Sequence, residues 1–204
     1  MSEGNVLQLT KFQESMLFIG AMKNVLENDL RVFKRYLHDD DLKFAMNNKM
    51  LIEICSFLEE WKRFKKYAKD DEGVRATMKI TAPAIKRLKS WRGLEGWRNT
   101  MLAHGPRDDN DGGKVTLLDK RYFDAEVPTT YCEVMLLAEY CVYVIAAFIC
   151  RHKADHIVAL GSIKKSDNNV VRGIQTQAEF NLAVKELQEH MFALDPELKE
   201  RFDV

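Results

Sequence analysis

Long stretches of this chain repeat apolar residues at steps of three, four or seven, and this spacing constrains the fold more than any other feature. The first stretch covers about residues 5–37, and its apolar positions are Leu9, Phe12, Met16, Ile19, Leu26, Leu30, Phe33 and Leu37. Residues at these intervals lie on one face of an α-helix, because the helix has about 3.6 residues per turn. The spacing therefore predicts a long helix with one apolar face.

The same spacing recurs in the two stretches that follow. Their apolar positions are Phe44, Leu51, Ile54, Leu58, Trp61 and Ala68, then Ile80, Ala84, Leu88, Trp91, Leu94, Trp97 and Met101. An aspartate of the HDDD sequence at 38–41 is expected to cap the second helix. Proline is best tolerated in the first turn of a helix, so we expect Pro83 to divide the third stretch. Residues 83–103 would then form one helix that Gly105 and Pro106 end.

The most apolar stretch is CEVMLLAEYCVYVIAAFIC, at residues 132–150, and Pro128-Thr129-Thr130 is expected to open its helix. Glu133 and Glu139 interrupt it, and the charge-free part, 140–150, has only 11 residues. A membrane-spanning helix needs about 20 apolar residues. The stretch is therefore interpreted as a buried central helix or one at a subunit interface, and no membrane is expected as a partner.

Two shorter segments complete the predicted architecture. Residues 114–127, KVTLLDKRYFDAEV, have the β-branched and aromatic content of a short β-hairpin or extended arm. Thr176-Gln-Ala-Glu179 has the pattern of a capping box at the start of a C-terminal helix. The predicted fold class is mainly α: a bundle of four to five helices over residues 1–160, and a C-terminal helical extension over 161–204 packed on the bundle.

The charge of the whole chain does not favour an anionic partner, but one local stretch does. Lys plus Arg and Asp plus Glu both number 31, so no global field draws the protein to nucleic acid or to an anionic membrane. Between residues 79 and 98, however, six basic residues face one acidic residue. This stretch is either a solvated helix face paired with acidic loops or a phosphate-binding surface. In the second interpretation the candidate RNA-binding residues are Lys86, Arg87, Lys89 and Arg92.

The sequence predicts no metal or other cofactor. Residues 108–119 only approach a calcium-loop pattern, and His152 and His156, four residues apart, have no evident third ligand. A solvated helix end is the expected setting of both histidines. Nor is a secretory signal evident at the N-terminus. The cysteines Cys55, Cys132, Cys141 and Cys150 form no C-x-x-C pair and lie in apolar runs, so we expect buried, reduced thiols of a cytoplasmic protein.

Residues 91–106, WRGLEGWRNTMLAHGP, combine two glycines, an Arg-Asn pair and a histidine. Glycine inside a helix costs about 1 kcal/mol relative to alanine, so Gly93 and Gly96 are predicted to allow close approach of another helix or a ligand. His104 follows the apolar face in the last predicted turn, where it can face a cleft. The structural alternative is that Arg98 and Asn99 cap or pair at a helix surface and that His104 interacts with the helix dipole.

The string R-N-T-M-L-A-H at residues 98–104 resembles the signature of the HEPN superfamily. That signature is an Arg, a polar residue that is often Asn, and a His after four to six intervening residues, near the end of a long helix. Five residues intervene between Arg98 and His104. The specific likeness is confined to 98–104, whereas the helix order is similar over about residues 5–153.

The resemblance implies an all-α bundle in a family that includes metal-independent endoribonucleases of toxin–antitoxin, abortive-infection and other defence systems. It implies a homodimer in which two motifs face each other and form one composite site for RNA. Arg98 would stabilise charge on the phosphoryl oxygens, His104 would act as general acid and base, and Asn99 would orient the phosphate or the histidine.

The resemblance leaves other interpretations open. An antitoxin protein is a possible partner, but Pro106 stands where some of these toxins carry a Tyr that a nucleotidyltransferase antitoxin AMPylates. Some HEPN domains are non-catalytic modules that bind RNA or mediate protein interactions. A third interpretation is an interaction protein that is unrelated to the family and carries out no chemistry.

Overall fold

The computed structural model of the protein describes residues 9–94, 126–162 and 173–194, together with Pro196. The chain divides into two compact units, Met1–Ile163 and Lys164–Val204. The described helices are α1 (Lys11–Arg35), α2 (Asp40–Phe64), a 3₁₀ helix (Lys65–Lys69), α3 (Glu72–Leu88), α4 (Tyr131–Arg151), α5 (Lys153–Gly161) and α6 (Gln177–Leu194). The predicted mainly α fold class is thus confirmed. Residues 114–125 of the predicted hairpin or arm lie outside the described residues.

Helix α1 turns the predicted apolar face into the core. It begins at Thr10, whose hydroxyl accepts from the Gln13 amide while the Gln13 side chain accepts from the Thr10 amide. This reciprocal capping box satisfies backbone donors that have no partner within the helix. The apolar residues that α1 buries are Met16, Ile19, Leu26, Leu30 and Phe33.

Helix α2 begins at an aspartate, as the HDDD sequence predicts. The Asp39 carboxylate accepts from the Leu42 amide at 2.9 Å. The helix packs against α1 and α4, and polar contacts accompany this apolar packing. The Ser15 hydroxyl of α1 donates to the buried carboxylate of Glu60 at 2.7 Å. The core therefore has a polar contact that fixes α1 relative to α2.

Helix α3 continues through Pro83, so the prediction that Pro83 begins a new helix is wrong. A proline inside a helix removes the N–H that would bond to the carbonyl four residues earlier, here that of Lys79. Both Lys79 and Pro83 are exposed, so this carbonyl can bond to water instead. The helix tolerates the proline because it lies on the solvent side.

The break in the third stretch falls later, and residues 83–103 do not form one helix. The regular helix ends at Leu88, and residues 89–93 form turns and coil before Leu94, which is helical again. The Ser90 amide and hydroxyl both donate to the Arg87 carbonyl, at 3.3 and 2.7 Å. Such local side-chain bonds compete with continuation of a helix.

Helix α4 is the element against which α1, α2 and α3 all pack. As predicted, it begins at Thr130, whose hydroxyl accepts from the Glu133 amide. Its inward face is buried, but Tyr143 on another face is 69% exposed. By length and composition α4 is the one helix in the described ranges that could cross a membrane, a test that core helices also pass. The buried residues of α4 are Val134, Leu137, Ala138, Cys141, Val142, Val144, Ile145 and Phe148.

The cysteines of α4 show how the helix is oriented. Cys141 is buried, as is Cys55 of α2, but Cys132 and Cys150 are exposed, and the prediction of burial is wrong for these two. At about 100° per residue, Cys132 and Cys150 share a face, and Cys141 lies midway between them on the opposite face. Burial raises the pKa of the Cys141 thiol well above its ordinary value.

The C-terminal unit contains α6, which begins at the predicted capping box. The Thr176 hydroxyl accepts from the Glu179 amide at 3.2 Å, and the Glu179 carboxylate accepts from the Thr176 amide at 3.3 Å. None of the residues of α6 is buried. Its large apolar side chains, among them Phe180 and Leu187, are exposed.

Candidate nucleic-acid interface

Three of the four predicted RNA-binding residues are exposed at one end of α3. Lys86 lies in the last turn of the helix, Lys89 caps it, and Arg92 lies in the turns that follow. Lys86 and Lys89 are three residues apart, a separation at which side chains on a helix are neighbours. This arrangement presents positive charge to solvent and suits contact with a phosphate backbone.

The fourth predicted residue, Arg87, is half-buried and bonds to groups of the protein. One of its terminal nitrogens forms an ion pair with Glu133 of α4, and the other donates to the Ser90 hydroxyl at 3.1 Å. The Trp91 indole nitrogen donates to the same Glu133 carboxylate oxygen at 2.9 Å. Arg87 and Trp91 therefore tie the end of α3 to the start of α4.

Glu133 is the residue of this region that the sequence interpretation missed. The sequence presents it as an interruption of an apolar stretch. A second signal was available, since Thr130-Tyr-Cys-Glu133 has the spacing of a capping box. The structure uses only half of that pattern, because the Glu133 amide bonds to Thr130 while its carboxylate turns to Arg87 and Trp91.

The residues that lead toward the motif are held from several sides. The Gly93 amide donates to the Glu126 carbonyl at 3.1 Å, and the approach of a helix or a ligand at this glycine stays a prediction. Leu94 is fully buried, and its carbonyl accepts from the Cys55 thiol of α2. The segment Trp91–Leu94 thus contacts α2, α4 and the residues that precede α4.

The predicted catalytic residues Arg98, Asn99 and His104 lie outside the described residues. So do Gly96 and the calcium-like loop at 108–119. The nearest described residue of the chain is Leu94, four positions before Arg98. The described part of the candidate site consists of the cations that precede the motif and the contacts that hold Trp91–Leu94.

His152 lies at the junction of α4 and α5 in a largely apolar setting, and the predicted solvated helix end is wrong for it. Its ring packs on Phe148 and Phe12, with centroids 5.2 and 5.7 Å away, and its Nε2 lies 3.1 Å from the Thr77 hydroxyl of α3. Burial lowers the pKa of His152, although Asp71 and Asp155 act in the opposite direction.

His156 lies against α1, so the prediction of a solvated helix end is wrong for it as well. A Cβ atom at Gly20 would lie 2.8 Å from its Cε1, so glycine at this position makes room for the ring. Burial lowers the pKa of His156. Its ring lines a groove of about 720 Å³ between α1, α4 and α5, whose apolar residues include Leu17, Phe18, Ile149 and Leu160.

The described residues contain no group of three or more His, Cys, Asp or Glu side chains placed to hold a metal ion. Comparison of the chain with protein-family models, with curated proteins and with solved structures finds no match. What the structure shows is a mainly α bundle in which Lys86, Lys89 and Arg92 are exposed at the end of α3. The likeness to the HEPN superfamily depends on residues 98–104 of the sequence.

Proposed function

We propose that this protein is a HEPN-like endoribonuclease of the toxin or defence type that acts as a homodimer and needs no metal. The observation that carries the proposal is the Arg98-Asn99 pair followed by His104 in a chain of mainly α fold. The exposed cations Lys86 and Lys89 precede this motif by 9 to 12 residues and offer contacts for the RNA backbone.

The proposed reaction is attack of a ribose 2′-oxygen on the adjacent phosphorus, with departure of the 5′-oxygen of the next nucleotide. A neutral His104 takes the proton of the 2′-hydroxyl, and a protonated His104 of the second chain gives a proton to the leaving oxygen. Arg98 is permanently charged and stabilises the negative charge on the phosphoryl oxygens. Asn99 orients the phosphate or the histidine. The products are a 2′,3′-cyclic phosphate and a 5′-hydroxyl.

The dimer is part of the mechanism, because one motif supplies only one histidine. Its proposed interface comprises the segment that carries the motif and part of α4, which exposes Tyr143 and Leu136. Light scattering should give twice the chain mass of 23.7 kDa. A monomer that persists at high concentration would contradict the composite site. We also propose a cytoplasmic location, with an antitoxin protein as a possible second partner.

A non-catalytic RNA-binding or protein-interaction module is the second candidate. Lys86, Lys89 and Arg92 are exposed whether or not His104 takes part in chemistry, so RNA binding does not require cleavage. In this alternative Lys86→Ala with Arg92→Ala weakens RNA binding, whereas Lys153→Ala, at an exposed position of α5, does not. His104→Ala leaves binding unchanged.

The deciding experiment compares wild type, His104→Ala and Arg98→Ala on single-stranded RNA in EDTA, with His38→Ala as the control at an exposed histidine. Loss of a general acid/base typically costs about 10²–10⁴ in rate, so His104→Ala should nearly abolish cleavage. Mass spectrometry should find 2′,3′-cyclic phosphate ends, and DNA of the same sequence should remain intact because it lacks the 2′-hydroxyl.

Each of the other outcomes has a distinct meaning. Equal cleavage by wild type and both motif variants would reveal a contaminating nuclease and reject the proposal. RNA binding without cleavage by the wild type would favour the non-catalytic module. Circular dichroism must show that all variants keep the helical content of the wild type.

A further inference from the structure

We propose that Glu133 is a positioning residue that fixes the segment leading into the motif, an inference that rests on the proposed function. Glu133 lies in the first turn of α4, and its side chain is 19% exposed. One of its carboxylate oxygens accepts from both Arg87 and Trp91. A carboxylate is suited to this task because it only accepts hydrogen bonds and can take several donors.

The need for such a residue follows from the interruption after α3. Residues 89–93 do not continue the regular helix, so α3 alone does not determine the direction of the chain at Leu94. Burial of Leu94 sets how deeply this segment lies in the core. Apolar packing is not directional, whereas the bond from the Trp91 indole to Glu133 has a preferred geometry. The carboxylate therefore restricts the orientation of the segment at Trp91, as the bonds of Gly93 to Glu126 and of Cys55 to Leu94 do further along.

This orientation bears on the reaction because Arg98 follows Leu94 by four residues. Catalytic groups must be held close to their productive geometry, and a misplacement of about 1 Å can reduce the rate about 10²-fold. Glu133 itself contacts Arg87 and Trp91, and it acts on the motif through them. We expect its loss to reduce kcat more than it changes KM.

The test compares Glu133→Ala and Glu133→Gln with Glu139→Ala as the matched control. Glu139 lies on the same helix and also forms an ion pair, with Lys34 at 2.6 Å, but this pair joins α4 to the end of α1. Removing it therefore deletes a comparable ion pair without touching residues 87–94. Glutamine keeps the acceptor oxygen and loses the charge, so it should restore part of the function.

Two measurements are made on each variant. Hydrogen–deuterium exchange is followed in peptides that cover residues 87–94, and kcat and KM are determined for RNA cleavage. We expect faster exchange in Glu133→Ala, with kcat lowered about 10²-fold and KM changed far less. The Gln variant should lie between Glu133→Ala and wild type, and Glu139→Ala should match wild type in both measurements.

The outcomes separate this inference from the proposed function. Unchanged exchange at 87–94 in Glu133→Ala would overturn it, and so would faster exchange with unchanged kcat. A wild-type protein that does not cleave RNA would reject the proposed function, and the exchange data would still decide whether Glu133 holds the segment. If Glu133→Ala does not fold, Glu133→Gln and Trp91→Phe, which removes the indole donor and keeps a smaller aromatic ring, serve in its place.

Discussion

Glu133 and Phe148, near opposite ends of α4, make different kinds of contact. At its start, Glu133 binds Arg87 and Trp91 through charged and polar groups that are partly exposed. Near its end, Phe148 is fully buried and meets Phe64 edge to face, with ring centroids 4.4 Å apart. The comparison indicates that one part of a helix can contribute most to the free energy of unfolding, while another part fixes the orientation of the segment that it contacts. Aromatic packing removes much apolar surface from water, whereas the polar contacts restrict direction.

The largest effect is expected at the aromatic end. Phe148→Ala leaves a cavity beside Phe64, and truncation of a buried Phe typically costs about 3–5 kcal/mol of the free energy of unfolding. Urea denaturation measures this loss. Phe44→Ala in α2 is the control, since its side chain is 55% exposed and surface changes usually cost less than about 0.5 kcal/mol. Equal losses in the two variants would contradict the assignment of the core.

A smaller effect is expected from pH at the same end of α4. Burial lowers the pKa of His152 in the folded protein below the value of about 6.5 typical of unfolded chains. As the pH falls through about 6.5, the unfolded chain therefore binds protons before the folded one. The free energy of unfolding should be highest above this pH and fall as the pH drops toward and through the lowered pKa.

The measurement is the free energy of unfolding between pH 7.5 and pH 5 for wild type and His152→Asn. Asparagine does not titrate, so the variant should lose less stability on acidification, whatever its stability at neutral pH. The pKa of His156 is lowered as well, so the free energy of unfolding of His152→Asn should still fall on acidification, but less steeply. If the free energy of unfolding of His152→Asn falls with decreasing pH as steeply as that of wild type, His152 does not contribute to the pH dependence.

The smallest effect concerns Gly20, beside His156. Alanine stabilises an exposed helix interior by about 1 kcal/mol relative to glycine, but here its Cβ would meet the imidazole at 2.8 Å. We expect Gly20→Ala to give less than this gain in wild type and the full gain in His156→Ala. A double-mutant cycle measures the difference, and simple additivity of the two changes would show that the ring does not constrain this position.

The starts of the helices could be predicted from the sequence because they depend on a few neighbouring residues. Asp39, Thr130 and Thr176 each cap a helix by bonding to a backbone amide three residues later. The apolar face of α1 could be predicted as well, since the spacing of its apolar residues matches the turn of a helix. The candidate motif at 98–104 also comes from the sequence, and its role stays a prediction.

Tertiary structure alone decided the features that depend on distant residues. The chain leaves α3 after Leu88 and is held there by Glu133, which lies 45 residues further along (133 − 88). The exposure of Cys132 and Cys150 depends on which face of α4 meets α1, α2 and α3. The settings of His152 and His156 depend on Phe12 and Gly20 of α1. The local sequence determines where a helix begins and how its apolar residues are spaced. Which face of the helix becomes buried depends on the other helices that pack against it.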